Sequence, residues 1–140
     1  MAVTATPIFA QTIKAWGTQF VNATSTTKTL IVTGGANGSQ VTSLTIASTD
    51  TSAQNIIFYL YDGTTYRQLC EINIPANSGN ASLATAPIDC FRNYYFIGSQ
   101  LDAMGNKVLN VPNGWSLYGS MVAAVTAAKT IDVVAQGGDY

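Results

Sequence analysis

The stretch Ile56-Ile-Phe-Tyr-Leu-Tyr61, Asp62-Gly63-Thr64-Thr65, Tyr66-Arg-Gln-Leu-Cys-Glu-Ile-Asn-Ile74 decides the fold. Its first run is continuously apolar and rich in β-branched and aromatic side chains, as in a strand at the middle of a packed sheet. Asp-Gly between two such runs is a strong short-range hairpin signal, because the turn needs residues that tolerate a left-handed backbone. In the return run Cys70, Ile72 and Ile74 share one face, and Glu71 and Asn73 share the other. Pro75 ends it, since proline has no N–H to give a ladder.

Working outward, Lys28-Thr-Leu-Ile-Val-Thr33 is a second β-branched run, closed by Gly34-Gly-Ala-Asn-Gly38. In Gln40–Ala47, Thr42, Leu44 and Ile46 fall on one face, with Ser43 and Thr45 on the other beside Val41. Residues 107–111 and 115–122 read as strands separated by Pro112-Asn-Gly114. Trp115, Leu117 and Met121 share a face of the latter. Residues 94–97 read as a short strand after a connection with a helical turn at 86–93. A final hairpin is expected between 115–125 and 130–136. Turn signals recur about every 8–12 residues. The expected fold is therefore all-β, an antiparallel β-sandwich or jelly roll of about seven or eight strands with little helix.

Residues 28–140 form the expected sandwich domain, and residues 1–27 an N-terminal arm or a first strand. An arm would dock Phe9, Trp16 and Phe20 on a neighbouring subunit. It would also be dispensable for folding, so removing residues 1–20 would weaken assembly only.

At 140 residues the chain can bury about 68–70% of the surface it exposes when unfolded, enough for one core. Charge is its unusual feature: only 9% of residues are Asp, Glu, Lys or Arg, against a typical ~25%. Polarity comes instead from 18 Thr, 10 Ser and 10 Asn. A net charge of −1 offers no field to gather nucleic acid or an anionic membrane, so neither is an expected partner. No window approaches the ~18 apolar residues of a membrane span. The first residues lack a basic region and an apolar run, so synthesis in the cytoplasm without a signal peptide is expected.

Histidine is absent, which removes the commonest general base and metal ligand. Cys70 and Cys90 alone make neither a zinc site nor a disulfide framework. No calcium-loop pattern occurs, and the glycine-rich run at 34–38 lacks the lysine of a phosphate loop. Of seven carboxylates, Asp50, Asp62, Asp102 and Asp139 fall in predicted turns or the final residues, where aspartate is ordinary turn chemistry. The expectation is a non-enzyme with no catalytic residue, no metal and no cofactor.

Tyr59, Tyr61, Tyr66, Tyr94, Tyr95, Phe96, Tyr118 and Tyr140 are candidates for a stacking platform that holds a sugar, although tyrosine is also a common strand residue. A skin of Thr, Ser, Asn and Gly loses little side-chain entropy and little charge solvation when covered. Such a surface suits repeated packing in an assembly.

The segment Leu109-Asn-Val-Pro-Asn-Gly-Trp-Ser-Leu-Tyr-Gly-Ser120, the hairpin at 58–65 and the ending Ile131-Asp-Val-Val-Ala-Gln-Gly-Gly-Asp-Tyr140 resemble small jelly-roll head decoration (cement) proteins of tailed bacteriophages. The resemblance implies a virion structural protein on the outer capsid surface, made in the host bacterial cytoplasm. Its implied partners are the major capsid protein and further copies of itself, as a dimer or trimer. Interface candidates are Phe9, Trp16, Phe20, Tyr94, Tyr95 and Tyr140. A tail, neck or baseplate component and a carbohydrate-binding β-sandwich module are the alternatives.

Overall fold

Alternation of apolar and polar side chains, broken by Asp, Gly and Pro turns, resolves into strands and no helix among the described residues. A computed structural model describes residues 10–80, 85–92 and 100–140. Its strands are β1 (Thr12–Val21), β2 (Thr29–Thr33), β3 (Ser39–Ser48), β4 (Gln54–Tyr61), β5 (Tyr66–Ile74), β6 (Ile88–Asp89), β7 (Gln100–Leu101), β8 (Lys107–Val111), β9 (Ser116–Met121) and β10 (Thr130–Asp139). They form two antiparallel sheets. The larger runs β1-β10-β3-β8-β7, with β6 also on β3, and the smaller runs β2-β9-β4-β5. The protein is an all-β sandwich.

Pairing is nested. β4 pairs β5, β3 pairs β8, β2 pairs β9 and β1 pairs β10. The chain thus behaves as one long antiparallel ribbon, turned at Asp62–Thr65 and folded over on itself. That turn is held by Asp62 Oδ1, which accepts the N–H groups of Thr64 and Thr65 at 2.9 and 2.7 Å, with Gly63 at φ 90°. Between the sheets lies one apolar core that includes Phe20, Leu44, Ile46, Ile56, Phe58, Ile72, Leu117, Ile131 and Val133. Each comes from the inward set of a period-two strand, as expected for sheets packed about 10 Å apart.

Three sequence expectations are corrected. First, β9 and β10 are no hairpin: β9 lies between β2 and β4, while β10 lies between β1 and β3 in the other sheet. The connection at 122–129 crosses the end of the sandwich because Val125 is fully buried there. Its N–H donates to Ser25 Oγ at 3.0 Å and its carbonyl accepts from Asn22 Nδ2 at 2.6 Å. Second, Val41 sits in the core with Leu44 and Ile46, and Thr42 is exposed. Gln136 pairs Ser43 whereas Gly137 pairs Val41, so Thr42 is an extra residue that reverses the alternation. Third, Phe20 is no interface side chain: it is 1% exposed, in the chain's own core. It belongs to β1, which pairs β10 over ten residues and so is part of the sandwich rather than an appendage.

Candidate functional site

Period two places Tyr59 and Tyr61 on the outward face of β4, since Ile56 and Phe58 are buried. Across the ladder Tyr59 lies opposite Tyr118 of β9, and Tyr61 lies opposite Tyr66 of β5. Four tyrosines thus meet on the outer face of the smaller sheet. Tyr61 and Tyr66 stack with centroids 4.4 Å apart and an interplanar angle of 28°. Tyr118 stands edge-on to both, 5.5 Å from Tyr61 and 5.1 Å from Tyr66. Tyr59 meets Tyr66 edge-on at 6.2 Å. The Lys28 ammonium lies over Tyr59 and Tyr66, 4.9 and 5.2 Å from their centroids, a cation on the negative face of the rings.

Polar side chains border the cluster. Asn55 Nδ2 donates to Glu71 Oε1 at 2.7 Å, and Asn73 Nδ2 donates to Asn55 Oδ1 at 2.8 Å. Leu30, opposite Tyr118, is 43% exposed, and Tyr66 is 39% exposed. The arrangement is an amphipathic, ring-rich sheet face. Its rings are mutually edge-on or stacked.

Of the residues singled out from sequence, Tyr59, Tyr61, Tyr66 and Tyr118 are brought together. Phe9, Tyr94, Tyr95 and Phe96 lie outside the described residues. Trp16 is half-buried against the core from β1, in the other sheet. Tyr140 is set apart as well. Its hydroxyl receives Gln40 Nε2 at 2.9 Å, and its N–H donates to Gly38 O at 3.1 Å. Lys28 and Asn55 were missed from sequence, because only sheet order shows that they flank the rings.

The carboxylates are engaged one by one. Asp50 is fully buried, and its oxygens accept Ser52 N–H, Gln54 Nε2 and both the N–H and hydroxyl of Thr126. Burial pulls its pKa up, but these donors outweigh burial and hold it below the ordinary 3.8. Asp139 accepts Ser39 Oγ at 2.5 Å and pairs Lys14 at 3.3 Å. Asp89 and Asp102 line a surface cleft of about 680 Å³ with Arg92 and Lys107. Both accept backbone N–H groups of their own turns, Asp89 from Phe91 and Arg92, Asp102 from Met104 and Asn106. That is turn chemistry rather than an acid–base pair. Among the described residues no three His, Cys, Asp or Glu groups gather to hold a metal ion, and no helix is long and apolar enough to cross a membrane.

The chain matches no family model, and comparison with curated proteins and with solved structures returns no match.

Proposed function

We propose that the protein is a non-catalytic virion structural protein, a decoration protein that binds the outer surface of a tailed-phage head and stabilises the shell. The observation that carries this reading is the nested pairing. Eight longer strands in two four-stranded halves, β1-β10-β3-β8 against β2-β9-β4-β5, are compatible with the winding of a jelly roll, an architecture found in viral capsid and lectin domains. The resemblance of residues 109–120 and 131–140 to head decoration proteins supports the placement on a capsid. So does a skin dominated by uncharged side chains, which loses little on being covered. In this reading the partners are the major capsid protein and further copies of the chain.

The test is antibody labelling of purified particles. Label on DNA-filled heads is expected, together with binding of the purified protein to shells that lack it. Absence from heads overturns the reading, and label confined to tails transfers it to a neck, tail or baseplate component.

A carbohydrate-binding module is the second reading, favoured by four tyrosines on one sheet face with Asn55, Asn73 and Glu71 alongside. A glycan array separates it: binding that disappears in Tyr66→Ala establishes a sugar site, and an array without hits removes it.

A further inference from the structure

We infer that the tyrosine face of the smaller sheet is covered by a second copy of this chain, related by a two-fold axis that runs along the strands between the two faces. The face is apolar at its centre, where the rings of Tyr61, Tyr66 and Tyr118 pack. It is also exposed: Leu30, opposite Tyr118, and Tyr66 are among the large hydrophobic side chains left to solvent. A contiguous patch of this kind marks an interaction surface.

Its charges identify the occupant. Lys28, immediately before β2, and Glu71, on β5, are both exposed, and neither has an ion-pair partner among the described residues. β2 and β5 are the two border strands of this sheet. Lys28 is thus rooted at one border and reaches inward, its ammonium over the Tyr59 and Tyr66 rings, while Glu71 is rooted at the opposite border, where it accepts the Asn55 amide. A two-fold axis along the strand direction lays β2 of each copy over β5 of the other. Each Lys28, an exposed side chain that exchanges its place over Tyr59 and Tyr66 for a carboxylate, then meets Glu71 of the other copy, twice per dimer, and rings meet rings in the centre. The pattern is self-complementary, as an isologous interface requires. The other charges near these strands are already spent: Arg67 pairs Asp62 at 3.0 Å at the hairpin turn. An acidic partner would leave Glu71 facing like charge, and a basic one would leave Lys28 so; a second copy satisfies both.

This names the surface for the self-association in the proposed function, and it is tested apart from particle location. The experiment is sedimentation velocity over a concentration series on the intact chain, with circular dichroism to check folding. The wild type is expected to form a concentration-dependent dimer. Lys28→Glu and Glu71→Lys, both on exposed side chains, each weaken it about tenfold or more, and the double exchange restores it to within a fewfold. Tyr66→Ala weakens it without help from charge. A monomer throughout the series, a trimer, or a dimer indifferent to these changes overturns the inference. So does a double exchange as weak as the sum of its parts. None of those results touches the head-location test.

Discussion

Asp50 and Thr126 are 76 residues apart in sequence and doubly joined: the Thr126 N–H reaches Asp50 Oδ2 at 2.9 Å and its hydroxyl reaches Oδ1 at 2.8 Å. The pair ties the β3–β4 loop to the crossing that leads into β10. With Ser52 N–H and Gln54 Nε2 also donating, every contact on this buried carboxylate is a donor. Asp50→Asn turns one oxygen into a donor facing donors, and is expected to cost about 2–4 kcal/mol. A urea midpoint unchanged from the wild type contradicts this account.

The same group sets an acid limit. Donors hold folded Asp50 below 3.8, where the unfolded chain would titrate, so its stabilisation is present above that value and lost as pH falls below it. Asp62, held down first by the Thr65 N–H, Asp102, by the Asn106 side chain, and Asp139, by the Ser39 hydroxyl, act in the same direction. Stability is expected to be level from neutral pH to about pH 4 and to fall below it. Asp50→Asn flattens that fall. An equally steep loss in the variant means Asp50 is not part of the titration.

Two glycines of paired strands differ sharply. A Cβ at Gly137 collides with the Gln40 carbonyl oxygen, on backbone that cannot move away without breaking the β10–β3 ladder. A Cβ at Gly17 meets nothing within 4 Å. Gly137→Ala is expected to destabilise by at least about 3 kcal/mol, and Gly17→Ala by no more than about 0.5 kcal/mol in either direction. Comparable melting temperatures for the two variants contradict the register at the β10 irregularity.

Phe20→Ala opens a cavity beside Ile31 and Ile56 and should cost about 3–5 kcal/mol at any protein concentration. Deleting residues 1–20 strips β10 of its outer partner and should abolish cooperative unfolding. A deletion variant with an unaltered melt is the outcome that returns β1 to the status of an arm.

The thiols are shielded. Burial pushes Cys70 up to about 11 and raises Cys90 as well. Iodoacetamide at pH 8 should therefore label the native protein slowly, Cys70 first because it is only half-buried, and label both at once in urea. Rapid double labelling in the native state, read by mass, contradicts the packing on the core of β5, which carries Cys70, and of the turn after β6, which carries Cys90.

What sequence reveals here is local. Asp62-Gly63, the alternation of Cys70, Ile72 and Ile74, and the Pro112-Asn-Gly114 turn all declare themselves within a few residues, and the β4–β5 hairpin falls where they put it. Partners of β9 and β10 are invisible to such signals, because pairing across a sandwich is decided by which strand completes the core. The extra residue at Thr42 is invisible too, since the register shift that creates it depends on Gly137 in another strand. The tyrosine cluster is half legible. Period two aligns Tyr59 with Tyr61 and the Asp62-Gly63 hairpin sets Tyr66 opposite Tyr61, but only the placing of β9 beside β4 brings Tyr118 to them.

The nested ribbon also carries a timetable. Tyr61 and Tyr66 pair across the short turn Asp62–Thr65, whereas Thr12 and Asp139 enclose all the other strand pairings between them. Closure entropy grows slowly with the length of chain enclosed, and each inner pair that forms shortens the loop an outer pair has to close. Such non-local order folds on the order of milliseconds to seconds, orders of magnitude slower than a helical bundle. A nascent chain would therefore hold β1 unpaired until β10 has been made, with a ten-residue strand edge open until then.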